Sequence, residues 1–86
     1  MESIGEKLTQ ARETRGLSVD QASRETHIAR RFLLALEEER FSDLPGETYL
    51  LGFLRTYADF IGLDGENMVA LYRNTRLQET EAPIEQ

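Results

Sequence analysis

The segment Gly46–Leu63, GETYLLGFLRTYADFIGL, restricts the possible folds more than any other part of the chain. It reads as one helix, and too much of its circumference is apolar. At about 100° per residue, Tyr49, Phe53, Tyr57 and Phe60 fall within an arc of about 80°. Leu50, Leu51, Leu54, Ala58 and Ile61 take the next arc of about 100°. Only the strip of Gly52, Arg55, Thr56 and Asp59 is small or polar. A helix on the outside of a small domain buries a narrower stripe, so one edge is expected to serve more than packing. Four of the chain's seven aromatic residues lie on that edge. Two uses are open for them: a core shared with the next helix, or a contact surface.

Glycine and proline divide the chain into five helical patterns, and nothing alternates as a strand does. The first runs from about Ser3 to Arg15, with Ser3 and Glu6 at capping-box spacing and Ile4, Leu8 and Ala11 inward. The second starts at Ser18, again with a capping partner at Gln21, and ends near Thr26 with Val19 and Ala22 inward. A turn at His27–Ile28 leads to the third, about Ala29 to Glu39, with Leu33 and Leu36 inward. The loop FSDLPG brings Phe41 and Leu44 to the base of the core before the aromatic helix. Asp64 then caps a fifth helix, about Gly65 to Arg76, with Met68, Leu71, Tyr72 and Thr75 on one face. The expected core includes Leu8, Ala22, Ile28, Leu33, Leu36, Leu54 and Ile61. Gly52 is expected at a close approach, since a mid-helix glycine costs about 1 kcal/mol and needs a reason.

Eighty-six residues form one small domain, here residues 1–76, followed by an acidic tail over 77–86 that is expected to be disordered or to begin a linker. Net charge is −6, and the tail's Glu79, Glu81 and Glu85 leave the body near −3. That balance is a poor start for a nucleic-acid binder, whose affinity rests on phosphate neutralisation. No apolar run reaches the roughly 18 residues of a membrane span, and MESIGEKL lacks the layout of a signal peptide. Catalysis has little support. The sole histidine, His27, lies in a turn, cysteine is absent, and no glycine-rich phosphate loop occurs. The run Glu37-Glu38-Glu39 reads as a solvated helix end rather than a metal site. No metal and no cofactor are expected.

Two short helices across a tight turn form a helix-turn-helix pattern. Residues 17–39, LSVDQASRETHIARRFLLALEEE, resemble the phage-repressor-like (XRE/Cro-type) family: Leu17-Ser18 opens its second helix, Ile28 fills the turn, Leu33 and Leu36 are the buried pair, and Glu37 is the acid near the end. The resemblance implies an all-α, five-helix domain in which a two-helix extension follows the repressor-like part. The sequence departs where that family contacts DNA. Val19 replaces the usual Gln, His27 the usual turn Gly, and Phe32 would meet a polar groove. Arg24, Arg30 and Arg31 remain candidate DNA contacts, but three contacts compare with roughly 6–10 in a strong binder. Arg30 or Arg31 has the chemistry to grip guanine.

A longer resemblance covers residues 3–76 and is carried above all by FSDLPGETYLLGFLRTYADFIGLD, which is similar to the N-terminal cytoplasmic domains of the RodZ family of bacterial morphogenetic proteins. It implies a protein-interaction module that binds the actin-like filament protein MreB, with DNA contact weak or absent. It also implies a cytoplasmic location, tethered to the inner membrane through a segment outside this chain. In that family two aromatics one turn apart on the fourth helix make the main contact. By motif they fall on Phe53 and Tyr57, and the flanking Arg55, Thr56 and Asp59 would supply a polar rim. Both rings are then expected to be exposed, with Tyr49 and Phe60 assigned mainly to the core. The alternative function is that of a DNA-binding transcriptional regulator.

Overall fold

A computed structural model describes the backbone of residues 3–81 and the side chains of residues 3–77. Within them the chain forms five α-helices and no strand: α1 Ile4–Thr14, α2 Val19–Thr26, α3 Arg30–Glu37, α4 Glu47–Phe60 and α5 Gly65–Glu81, with a 3₁₀ turn at Phe41–Asp43 before α4. Both expected capping boxes form. Ser3 and Ser18 each accept from the backbone three residues on, and Glu6 and Gln21 return the bond to the cap residue's own N–H. Asp64 caps α5, its carboxylate accepting from the backbone N–H of Glu66 (3.1 Å) and Asn67 (3.3 Å). α5 continues to Glu81, beyond its expected end near Arg76. Of the expected disordered tail, residues 82–86 lie outside the described residues.

His27 closes α2 in the left-handed conformation, φ 62°, which the repressor pattern usually gives to glycine. The turn is held by side chains: Ser23 donates to the Ile28 carbonyl (2.6 Å), and the Thr26 hydroxyl donates to the Ala22 carbonyl (2.8 Å) while accepting from the Ile28 N–H. Ile28 is thereby pinned inside.

α1, α2 and α3 pack as the helix-turn-helix, and α4 and α5 close its open side. All seven core residues expected from the sequence are buried, with Leu44, Leu50, Tyr57, Met68, Val69 and Tyr72 among the other buried side chains. Phe41 sets its ring edge-on against Tyr72 at 5.2 Å between centroids, which fixes the loop ahead of α4 on α5. Thr75, expected on the buried face of α5, is exposed, and Val69 takes that role.

The glycine expectation needs correction. Nothing lies within 4 Å of the position a Cβ on Gly52 would occupy, so no close approach explains it. The close approaches are elsewhere. A Cβ on Gly5 would meet the Glu37 carbonyl oxygen at 2.1 Å, and one on Gly65 would meet the Arg55 carbonyl oxygen at 2.6 Å. These two glycines let α1 pass against the end of α3, and α5 start against α4.

Candidate partner-binding surface

The aromatic arc of α4 is divided between inside and outside, and the division falls one turn from where the sequence placed it. Tyr57 is fully buried, with 0% of its surface exposed, whereas Tyr49 is 57% exposed. Phe53 and Phe60 are half-buried against the core. The expected exposure of Tyr57 and the expected burial of Tyr49 are therefore both corrected. Phe53, expected to be exposed, is so only in part; the one-turn pair that reaches the surface is the exposed Tyr49 with the half-buried Phe53, whose ring centroids lie 5.8 Å apart.

The reason lies on α3. Tyr57 donates its hydroxyl hydrogen to the Glu37 carboxylate. The same carboxylate accepts from Arg12 Nε at 2.8 Å, from a second Arg12 nitrogen at 3.1 Å and from the Thr9 hydroxyl at 3.1 Å. Arg12 turns its remaining nitrogen to the Leu17 carbonyl (2.9 Å). The Glu37 side chain is only 5% exposed. Burial pushes its pKa up, but the donated hydrogen bonds from Arg12, Tyr57 and Thr9 outweigh that and hold it below the ordinary value. Burial, then the bond to Glu37, drives the Tyr57 phenol well above its usual range. A buried carboxylate needs donors from several directions, and Tyr57 is the one α4 supplies.

The glutamate run is thus a solvated helix end only in part: Glu38 and Glu39 are exposed, and Glu37 is not. Glu37 faces inward, and Glu39, in the left-handed region at φ 58°, accepts from the Gly5 N–H at the start of α1 (2.8 Å). Glu38 pairs with Arg40 on the surface at 3.0 Å. A sequence signal for this existed. Leu8 and Arg12, and Leu33 and Glu37, are both spaced four apart, so opposite charges end two buried stripes that pack together.

Thr56 is exposed, and helical spacing puts it on the same side as Tyr49 and Phe53. Arg55 leans the other way, with its Nε 3.1 Å from the Glu66 carboxylate in the first turn of α5. The structure thus gathers Tyr49, Phe53 and Thr56, and sets Tyr57 and Arg55 apart from them.

The three candidate DNA contacts are all exposed. Arg30 is held 2.7 Å from Asp20. Arg31 lies over the face of Phe32, 4.7 Å from the ring centroid. Among the described residues no cluster of three or more His, Asp or Glu side chains is arranged for a metal ion, and no helix is long and apolar enough to cross a membrane.

Residues 7–68 match the family model HTH_25, a helix-turn-helix domain. The chain belongs to this helix-turn-helix family. The cytoskeleton protein RodZ of Streptococcus pneumoniae is 37% identical over 70 residues, 81% of this chain and 25% of RodZ. The uncharacterized membrane protein YmfM of Bacillus subtilis is 36% identical over 52 residues, 60% of this chain and 18% of YmfM. The chain therefore spans a quarter or less of the length of these relatives. The 1 Å structure of YmfM from Staphylococcus aureus, a membrane protein proposed to bind DNA, superposes with a TM-score of 0.78 at 27% identity, covering 85% of this chain and 89% of that one. The all-α helix-turn-helix fold is common to both, and the RodZ-type resemblance holds over most of this HTH_25 domain.

Proposed function

We propose that this domain is a non-catalytic docking module for an actin-like bacterial cytoskeletal protein of the MreB type, and that it serves as the cytoplasmic part of a RodZ-like cell-shape protein tethered to the membrane. The observation that carries this reading is the Tyr49–Phe53 pair. Tyr49 is a large aromatic left 57% exposed on a well-packed helix, its ring tilted 49° against a second ring one turn later. Aromatic rings give large contact area at small entropic cost and are enriched at the centres of interfaces. Thr56 flanks the pair as a polar group, while Arg55 is turned toward Glu66. Gly52 leaves open space beside the pair. Tyr57, one turn further on, is buried and bonded to Glu37, which joins α4 to α3 beneath this edge.

The family resemblance and the RodZ relative support a cytoskeletal partner. The groups of the Arg12–Glu37–Tyr57 cluster are hydrogen-bonded to one another, which suits a structural role for them. The test is co-sedimentation of the purified 86-residue chain with polymerised MreB-type protein. The chain should pellet with filaments and stay in solution without them, and a chain that never pellets overturns the reading.

DNA binding is the second reading, favoured by the intact α2–α3 arrangement and by the description of the Staphylococcus YmfM. The surface speaks against a strong binder: Arg24, Arg30 and Arg31 offer three cations, Arg30 sharing its charge with Asp20 on the surface, where a strong binder makes roughly 6–10 phosphate contacts. Titration with genomic and random DNA at physiological salt should reveal no site preferred by the roughly 1,000-fold or more of a specific regulator.

A further inference from the structure

Phe32 lies in the first turn of α3, where a groove-reading helix would present polar side chains. Its neighbours account for it. The Phe32 ring stacks on Phe53 of α4, with centroids 5.6 Å apart and planes 23° from parallel. Phe53 in turn meets Tyr49 at 5.8 Å. Phe32 also carries the Arg31 guanidinium, 4.7 Å from its centroid. The four side chains form a single row from α3 to α4, an aromatic track with a cation at one end.

Beside that end is a surface hollow of about 340 Å³ lined by Arg30, Arg31, Phe32, Leu34, Arg40 and Asp43. Three cations and one acid make its lining basic, in a chain whose net charge is −6. Arg30 is paired with Asp20, and Arg40 with Glu38 and Asp43. Arg31 has no carboxylate within ion-pair distance among the described residues. Its charge is available to a partner.

We infer that the docking surface extends off α4 across Phe32 to Arg31, and that its occupant is a protein segment with apolar side chains for the aromatic row and a carboxylate for Arg31. The inference rests on the docking function proposed above and deepens it by fixing the partner's chemistry and adding two contact residues. A guanidinium stacked on a ring keeps its edge donors free, so the acid reaches Arg31 in the plane of the stack. The row is apolar for most of its length, and the two other arginines of the hollow are already paired. Both facts suit a protein rather than a phosphate backbone, which needs several unpaired cations.

The test uses the 86-residue chain and purified MreB-type filaments, with Arg31→Glu, Phe32→Leu and Phe53→Ala compared by co-sedimentation, and thermal melting run alongside. Arg31→Glu reverses an exposed charge and leaves the fold intact, and Phe32→Leu keeps an apolar contact on Phe53 while removing the flat ring. Both should weaken filament binding about tenfold or more, and added salt should weaken the parent more than Arg31→Glu. If both bind like the parent while Phe53→Ala is weakened, the surface ends on α4; the inference is overturned and the docking function stands. If Phe53→Ala also binds like the parent, the docking function itself fails. If Arg31→Glu loses duplex DNA but retains filaments, the basic end belongs to nucleic acid and the inference is overturned.

Discussion

Tyr57 on α4 donates its phenolic hydrogen to Glu37 on α3, on the same inward side of the helix as the buried Leu50, Leu54 and Ala58. The bond also leaves Glu37 dependent on α4 as well as on α1.

Removing the carboxylate should cost more than removing the phenol. Glu37→Ala strands the Arg12 guanidinium, whose side chain is 14% exposed, together with the Tyr57 hydroxyl. Breaking a buried ion pair from one side costs about 3–5 kcal/mol. Tyr57→Phe removes one hydrogen bond and should cost about 1–2 kcal/mol. Chemical denaturation of both variants checks the order. A Glu37→Ala protein as stable as the parent would mean that the network holds nothing.

Stability should fall at both ends of the pH range, for two reasons that are separable. Glu37 has its pKa lowered in the folded state, so its contribution is present above the ordinary carboxylate pKa and is lost as pH falls through the folded value. Tyr57 has its pKa raised, so its contribution is present below about pH 10 and is lost as pH rises above that. Thermal melts across pH should show both flanks. Glu37→Gln should flatten the acid flank and Tyr57→Phe the alkaline one.

The sequence made the scaffold legible because its signals are local. Ser3 with Glu6 and Ser18 with Gln21 mark helix starts, and Leu33 with Leu36 marks a buried stripe, without knowledge of any other helix. The division of the α4 arc was not legible in the same way. Helical spacing gives the angles between Tyr49, Phe53, Tyr57 and Phe60 but not the direction of the whole set, which follows from how α4 packs on the other helices, Glu37 of α3 among its partners. Glu37 was in turn hidden by its neighbours, since three glutamates in a row look solvated even when the first continues the Leu33 stripe. Gly52 failed for a related reason: a mid-helix glycine announces a cost, and only the packing shows whether anything lies opposite.

The glycines should separate in sign. Gly52→Ala meets open space and should stabilise the domain by about 0.5–1 kcal/mol, the helix-propensity gain. Gly65→Ala drives a methyl into the Arg55 carbonyl oxygen at 2.6 Å and should destabilise it. Melting temperatures of the two variants moving in the same direction would contradict this packing of α4 and α5.

The central claim is that the partner-facing pair is Tyr49 and Phe53, while Tyr57 belongs to the core. The most direct measurement is filament co-sedimentation of Tyr49→Ala, paired with its thermal melt. The ring is exposed, so the melting temperature should stay near the parent's, while filament affinity should fall by about 2 kcal/mol, roughly 30-fold. A Tyr49→Ala chain that co-sediments as the parent does, at unchanged stability, would contradict the account.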